Sequence, residues 1–234
     1  MALRRFFLLI LGIAGSMLAA TVLYISAEDV LQDRALPGRD MELVNTELIL
    51  PTQVPGTTLI AQKLVSYEGP FLEDGTDREV VNVAALQVFN TSTKEVLQAC
   101  VELWREDTAY KFYAERIPPG GTVLILETRA QTFLHDGFSS CSGRQLTAQS
   151  DTGDRTGISI TDRAMGTVII TNLTDRKIEN ISLYYKSWLN PPGIYVGGIC
   201  YTYAIPVLLP NQTIEIFPHH YASGYSKVAS VTIG

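Results

Sequence analysis

The sequence has 234 residues, with 18 lysines and arginines against 24 aspartates and glutamates. That length accommodates one or two modest domains. No basic stripe or Arg-rich segment runs through it, which excludes a nucleic-acid partner, and the acidic balance favours solubility without selecting a ligand.

Arg4 and Arg5 precede an apolar run from Phe6 to about Ile25, and Glu28 and Asp29 follow it. A stretch of about 20 apolar residues spans a bilayer core. The arginines place residue 1 in the cytoplasm and the rest of the chain outside. Residues 1–27 thus read as an uncleaved signal-anchor. The competing reading is a cleaved signal peptide ending at Ile25-Ser26-Ala27. Without Arg4 and Arg5, 16 basic residues face 24 acidic ones outside the membrane. Residues 28–55, with Pro37-Gly38, Pro51 and Pro55-Gly56, read as a stalk, with Glu47–Leu50 as an early edge strand.

From Thr57 onward, short runs rich in Val, Ile, Leu, Tyr and Thr alternate with turn clusters, the pattern of an all-β domain. Strands are expected at 59–65, 80–89, 95–104, 109–114 and 122–127. After a polar connection over 129–156 they are expected at 157–161, 166–171, 178–186, 194–203, 213–217 and 228–233. The second series echoes the first. Asn172 follows Asn90 by 82 positions, each ending an apolar strand before a polar turn, and Pro210 follows Pro119 by 91. Two copies of one β-unit are expected, as sandwich domains at 56–148 and 157–234 joined by a linker at 149–156. One larger sandwich of two sheets is the alternative. The offsets put nine extra residues into the second copy, within 188–207.

The run Val101-Glu102-Leu103-Trp104-Arg105-Glu106-Asp107, its counterpart Ile181-Ser182-Leu183-Tyr184-Tyr185 and the turn Pro119-Gly120 resemble the FxLYD-type β-sandwich of bacterial envelope proteins. The second copy departs from that pattern, with no acidic residue after the aromatic and Asn211 at the turn. The resemblance implies two tandem immunoglobulin-like modules without known catalysis.

Trp188, Tyr195, Tyr201 and Tyr203 in the expanded region are the candidate binding residues for a protein or glycan. The three tyrosines would share one face of an unbroken strand, with Gly197-Gly198 a candidate hairpin turn. Packing into the sandwich core is the competing role for these aromatics. Cys100 and Cys141 are the candidate disulfide, leaving Cys200 unpaired, with buried reduced thiols as the alternative.

His219 and His220 are adjacent, so on a strand they point apart, and with His135 they complete no metal-ligand pattern. The acidic stretches 73–77 and 151–154 read as charged turns rather than a calcium loop. Neither a metal nor a cofactor is expected. No nucleophile motif is present, so an enzyme is not expected. The sequons at Asn90, Asn172, Asn180 and Asn211 read as glycan acceptors or as turn chemistry, the matched positions of Asn90 and Asn172 favouring the latter. The expected function is a membrane-anchored extracytoplasmic interaction module. A structural subunit of an envelope or surface assembly, a homo- or hetero-oligomer, is the alternative.

Overall fold

A computed structural model describes residues 48–149, 157–163 and 166–234. The expected anchor, most of the stalk and nearly all of the linker lie outside the described residues. Among the described residues, no helix is long and apolar enough to cross a membrane.

The described chain is all-β. Its strands are β1 (Thr52–Gln53), β2 (Leu59–Pro70), β3 (Glu79–Asn90), β4 (Val96–Arg105), β5 (Thr108–Ile117), β6 (Thr122–Leu126), β7 (Ser140–Thr147), β8 (Ile158–Arg163), β9 (Thr167–Asn172), β10 (Ile178–Leu189), β11 (Ile194–Leu208), β12 (Thr213–Ile216) and β13 (Ser226–Ile233). A one-turn 3-10 helix, Leu72–Asp74, interrupts the β2–β3 connection. All eleven strands expected from Thr57 onward are present, with ends moved by one to five residues; residues 48–50 of the expected edge strand form none, β1 follows them within the expected stalk, and β7 lies in the stretch expected as a connection.

The sheets repeat. In the first half β2-β3-β6 lies in one sheet and β5-β4-β7 in another; in the second half the same order recurs as β8-β9-β12 and β11-β10-β13. Inward residues of β2, β3 and β6 pack on Val96, Val101, Leu103, Phe112 and Ile117 to form one core. Val168, Ile170, Ile181, Leu183 and Tyr185 anchor the other. The alternation of buried and exposed residues along β4 is the period-2 signature that drives this layering.

The internal match extends to hydrogen bonds. Asn90 is fully buried and its amide donates to Lys94 O (2.8 Å), Ile117 O (3.2 Å) and Pro118 O (3.2 Å), while Ser92 N (3.1 Å) and Oγ (2.9 Å) donate to its Oδ1. Asn172, equally buried, donates to Arg176 O (2.7 Å), Leu208 O (3.3 Å) and Leu209 O (2.9 Å) and accepts from Thr174 N and Oγ1. The side chain satisfies main-chain groups that the strand ends cannot pair, so burying it costs little. Neither amide has a surface at which a glycan could attach. Turn chemistry is therefore the role of these two sequons.

The halves are joined rather than strung apart. β6 pairs in parallel with β11 at Val123↔Tyr195 and Leu124↔Val196, giving one seven-stranded sheet, β1-β2-β3-β6-β11-β10-β13. The described residues all belong to one compact unit. The joint uses residues from the second copy's expansion. β11 does not turn at Gly197-Gly198, so the expected hairpin is corrected. The strand instead bulges there: Tyr185 pairs with Tyr201 and Ser187 with Val196, leaving Lys186 opposite residues 197–200. Gly197 takes φ +84°, and a Cβ on Gly198 would overlap Tyr113 O, which is why this bulge carries two glycines.

Candidate functional site

Two places gather chemistry: the seam between the halves and one end of the second half. At the seam, Lys186 on β10 is 1% exposed. Its Nζ donates to the carbonyls of Gly197 (3.2 Å), Gly198 (2.5 Å) and Ile199 (2.9 Å), the three that the bulge turns inward. Glu73, on the 3-10 helix, accepts from Gly198 N at 2.8 and 2.9 Å and from Leu126 N at 2.9 Å, so it grips β11 and β6 together. Glu115 on β5 accepts from Cys200 N at 3.3 Å, and Cys200 Sγ donates to Glu115 O at 3.8 Å. Beside this, Arg116 lies 3.9 Å over the Tyr184 ring and 3.4 Å from the buried Glu95 carboxylate.

Burial sets the electrostatics. Desolvation lowers the Lys186 pKa, opposed by Cys200, Glu73 and Glu115 around it. Desolvation raises that of Glu73, opposed by the N–H groups of Gly198 and Leu126 and by Lys186. Burial pushes the Cys200 thiol up to about 11. Each charged group is thus held by main-chain partners, the condition under which buried charge is tolerated. This arrangement fastens the two halves. Lysine inside a strand reads as a solvent-facing residue, so Lys186 was passed over in the sequence; the one signal available is its setting in the run Leu183-Tyr-Tyr-Lys-Ser-Trp188.

The four candidate binding residues are divided by the bulge. Tyr195 is 6% exposed, lies in the first core and donates its hydroxyl to Val228 O at 3.1 Å. It offers no recognition surface. Tyr201 and Tyr203 are half-buried against the second core, with Tyr201 stacked between Tyr185 (5.7 Å) and His220 (4.9 Å). The expectation of three tyrosines on one face of an unbroken strand therefore fails, because the bulge between 196 and 201 interrupts the alternation. Trp188 is half-buried. Its ring meets Tyr195 edge-on at 4.9 Å and takes Lys227 Nζ at 4.0 Å.

Trp188 marks an end where apolar groups reach solvent. Its main-chain N–H donates to Tyr225 O at 2.7 Å. Tyr225 is 74% exposed, Leu189 47% and Phe217 69%. The turn 190–193 with Pro191 and Pro192 is exposed between β10 and β11, and the loop 217–225 lies alongside. Tyr225, Leu189 and Phe217 were not singled out in the sequence. Tyr225 sits in a Ser-Gly-Tyr-Ser run that signals only a loop.

The disulfide expectation is corrected. Cys100, Cys141 and Cys200 are free. Cys100 pairs with Arg144 across β4–β7, while Cys141 pairs with Leu103, three positions away. That odd spacing puts Cys141 on the core side with Leu103 and Cys100 on the outer face, too far apart to bridge. Burial pushes the Cys141 thiol up to about 11.

The acidic stretch 73–77 disperses into separate tasks. Glu73 serves the seam, and Asp74 accepts from Thr76 and Arg78. Asp162 accepts from the Tyr221 hydroxyl, and Asp151 and Asp154 lie outside the described residues. Among the described residues, no group of three His, Cys, Asp or Glu is placed to hold a metal ion. His219 and His220 lie in a turn, His219 O accepting from the Tyr185 hydroxyl. No family model and no curated protein matches the chain.

Proposed function

We propose that this chain is a membrane-anchored, extracytoplasmic, non-enzymatic interaction module. In this reading residues 1–27 hold it in the membrane and two tandem immunoglobulin-like sandwiches stand outside. The recognition surface is the end of the second sandwich, built from Trp188, Leu189, the 190–193 turn and the 217–225 loop. One observation carries the reading: Tyr225, Phe217 and Leu189 expose large apolar area at the element ends beside a supported Trp188. Clustered exposed apolar side chains mark interaction sites, and aromatic anchors ringed by polar groups are the stuff of binding surfaces. Tyr195 under Trp188 and Tyr201 under His220 support that end from beneath. The Lys186 seam keeps the loops on a stiff frame, which lowers the entropy lost on binding.

The alternative is a structural subunit that assembles through its own edges. Light scattering on the full chain in detergent, over a hundredfold range of concentration, separates the two. A recognition module stays monomeric; concentration-dependent oligomers would transfer the assignment to the assembly reading.

A further inference from the structure

The repeat shows what one edge of the second half lacks. β6 and β12 are equivalent strands. Thr122, Val123, Leu124 and Ile125 pair with Phe89, Val88, Gln87 and Leu86 of β3, and Thr213, Ile214, Glu215 and Ile216 pair in the same register with Thr171, Ile170, Ile169 and Val168 of β9. On its other side β6 carries β11, running parallel to it at Val123↔Tyr195 and Leu124↔Val196. Among the described residues β12 carries no strand there and ends its sheet. Exposure differs accordingly at matched positions. Val123, Leu124 and Leu126 are buried, whereas Ile214 is half-buried, Glu215 is exposed and Phe217 is 69% exposed. Leu124 and Leu126 share a cluster with Ile194 and Val196 of β11, so the added strand helps to cover these positions in the first half. We propose that β12 is completed in the same way, by an extended segment of a partner protein that adds to its free edge in parallel, as β11 adds to β6. This rests on the recognition end proposed above, to which Phe217 belongs, and names what that end takes.

Register gives the chemistry of that segment. The residue opposite Ile214 takes the place of Tyr195, which lies in the first core, so an aromatic belongs there. The next residue takes the place of Val196 and faces Glu215, which stands where the first half has Leu124, so a basic side chain belongs there. Two residues further on, an apolar side chain on the same face meets Phe217. Glu215 is available for this role. Arg163 lies 4.0 Å from it, but both side chains are exposed, and such a pair contributes little. A second copy of this chain is a poor occupant. Pairing two four-residue β12 edges would bring their Glu215 carboxylates close together, and charge on an edge strand is a means by which sheets resist self-pairing.

The test uses the full chain in detergent and a synthetic peptide, Thr-Ile-Tyr-Lys-Thr-Leu-Thr, with hydrogen–deuterium exchange as the readout. The peptide should slow exchange in the fragment carrying residues 213–217 and leave β8, the opposite edge of the same sheet, unchanged. Aspartate in place of the peptide's lysine should raise the concentration needed for half-protection by about tenfold or more, and Glu215→Lys should reverse the preference between the two peptides. Unchanged exchange in β2 and β3 serves as the folding control for that variant. No protection by the lysine peptide, equal protection by both peptides, or protection confined to other strands would overturn the proposal. The recognition end is judged separately, by photo-crosslinking from position 225 in cells that make the full chain. An adduct there without peptide protection removes the added strand alone, whereas peptide protection without an adduct removes the recognition end and leaves the strand addition standing.

Discussion

Replacing Lys186 by methionine removes a charge of nearly the same length and leaves its partners behind. Three carbonyls, those of Gly197, Gly198 and Ile199, lose their donor inside the protein, and Glu73 loses the positive charge that offsets its burial. Methionine regains lysine's desolvation cost but offers those three carbonyls no donor. Breaking a buried charged network at one member costs about 3–5 kcal/mol. For a unit of this size that lowers Tm by about 2–4 °C per kcal/mol, or roughly 8–16 °C for a loss near 4 kcal/mol. Thermal unfolding followed by far-ultraviolet circular dichroism measures it, with urea titration as a second axis. Glu73→Gln alone should cost less, because its amide oxygen still accepts from Gly198. The double variant should fall short of the sum by about 1–3 kcal/mol, the coupling expected of two members of one network. A Lys186→Met loss under about 1 kcal/mol, or strict additivity with Glu73→Gln, would refute the view of the seam as a fastening.

Three further outcomes are expected. Asn90→Ala and Asn172→Ala should each cost about 3 kcal/mol by urea titration, and within about 1 kcal/mol of each other, since each strands the same set of main-chain groups; a large disparity would break the equivalence of the two copies. Gly198→Ala should lower stability by more than about 2 kcal/mol, because the new Cβ meets the Tyr113 carbonyl; a neutral result would mean the bulge is slack. The Cys200 thiol is raised when folded, so its contribution to stability is present below the usual thiol value near 9 and is lost as pH rises towards about 11. Urea midpoints of the parent should therefore fall more steeply between pH 9 and 11 than those of Cys200→Ser, and parallel curves would remove the thiol from the account.

The repeat was legible because the asparagine corner depends on local chemistry. A residue whose amide must reach three carbonyls and whose oxygen must accept from the turn leaves the same short pattern at both sites. Most strands were legible for the usual reason, alternation of β-branched and polar residues. β7 was not: Ser-Cys-Ser-Gly-Arg-Gln-Leu-Thr has one aliphatic residue, and its covered positions are Cys141, Gly143 under Val54, Gln145, which accepts from Thr58 N, and Thr147. Its strand character comes from pairing with β4, which no local pattern reports. The glycine pair in β11 carried a true signal of unusual backbone and a wrong inference about its kind, because a turn and a bulge both call for positive φ. The cysteines were paired by proximity in the chain, but register decides the face, and it sets Cys100 and Cys141 on opposite sides. The seam was invisible for a related reason. Lys186, Glu73 and Glu115 lie far apart in sequence and meet only because β11 of the second copy continues a sheet begun by the first.

A photo-reactive amino acid placed at position 225, in cells that make the full chain, tests the recognition surface most directly. With a second probe at exposed Glu68 on β2 as reference, the account predicts a discrete adduct at 225 that disappears when Leu189 is changed to Asp, and none at 68. No adduct at 225, or the same adducts at both positions, would contradict it.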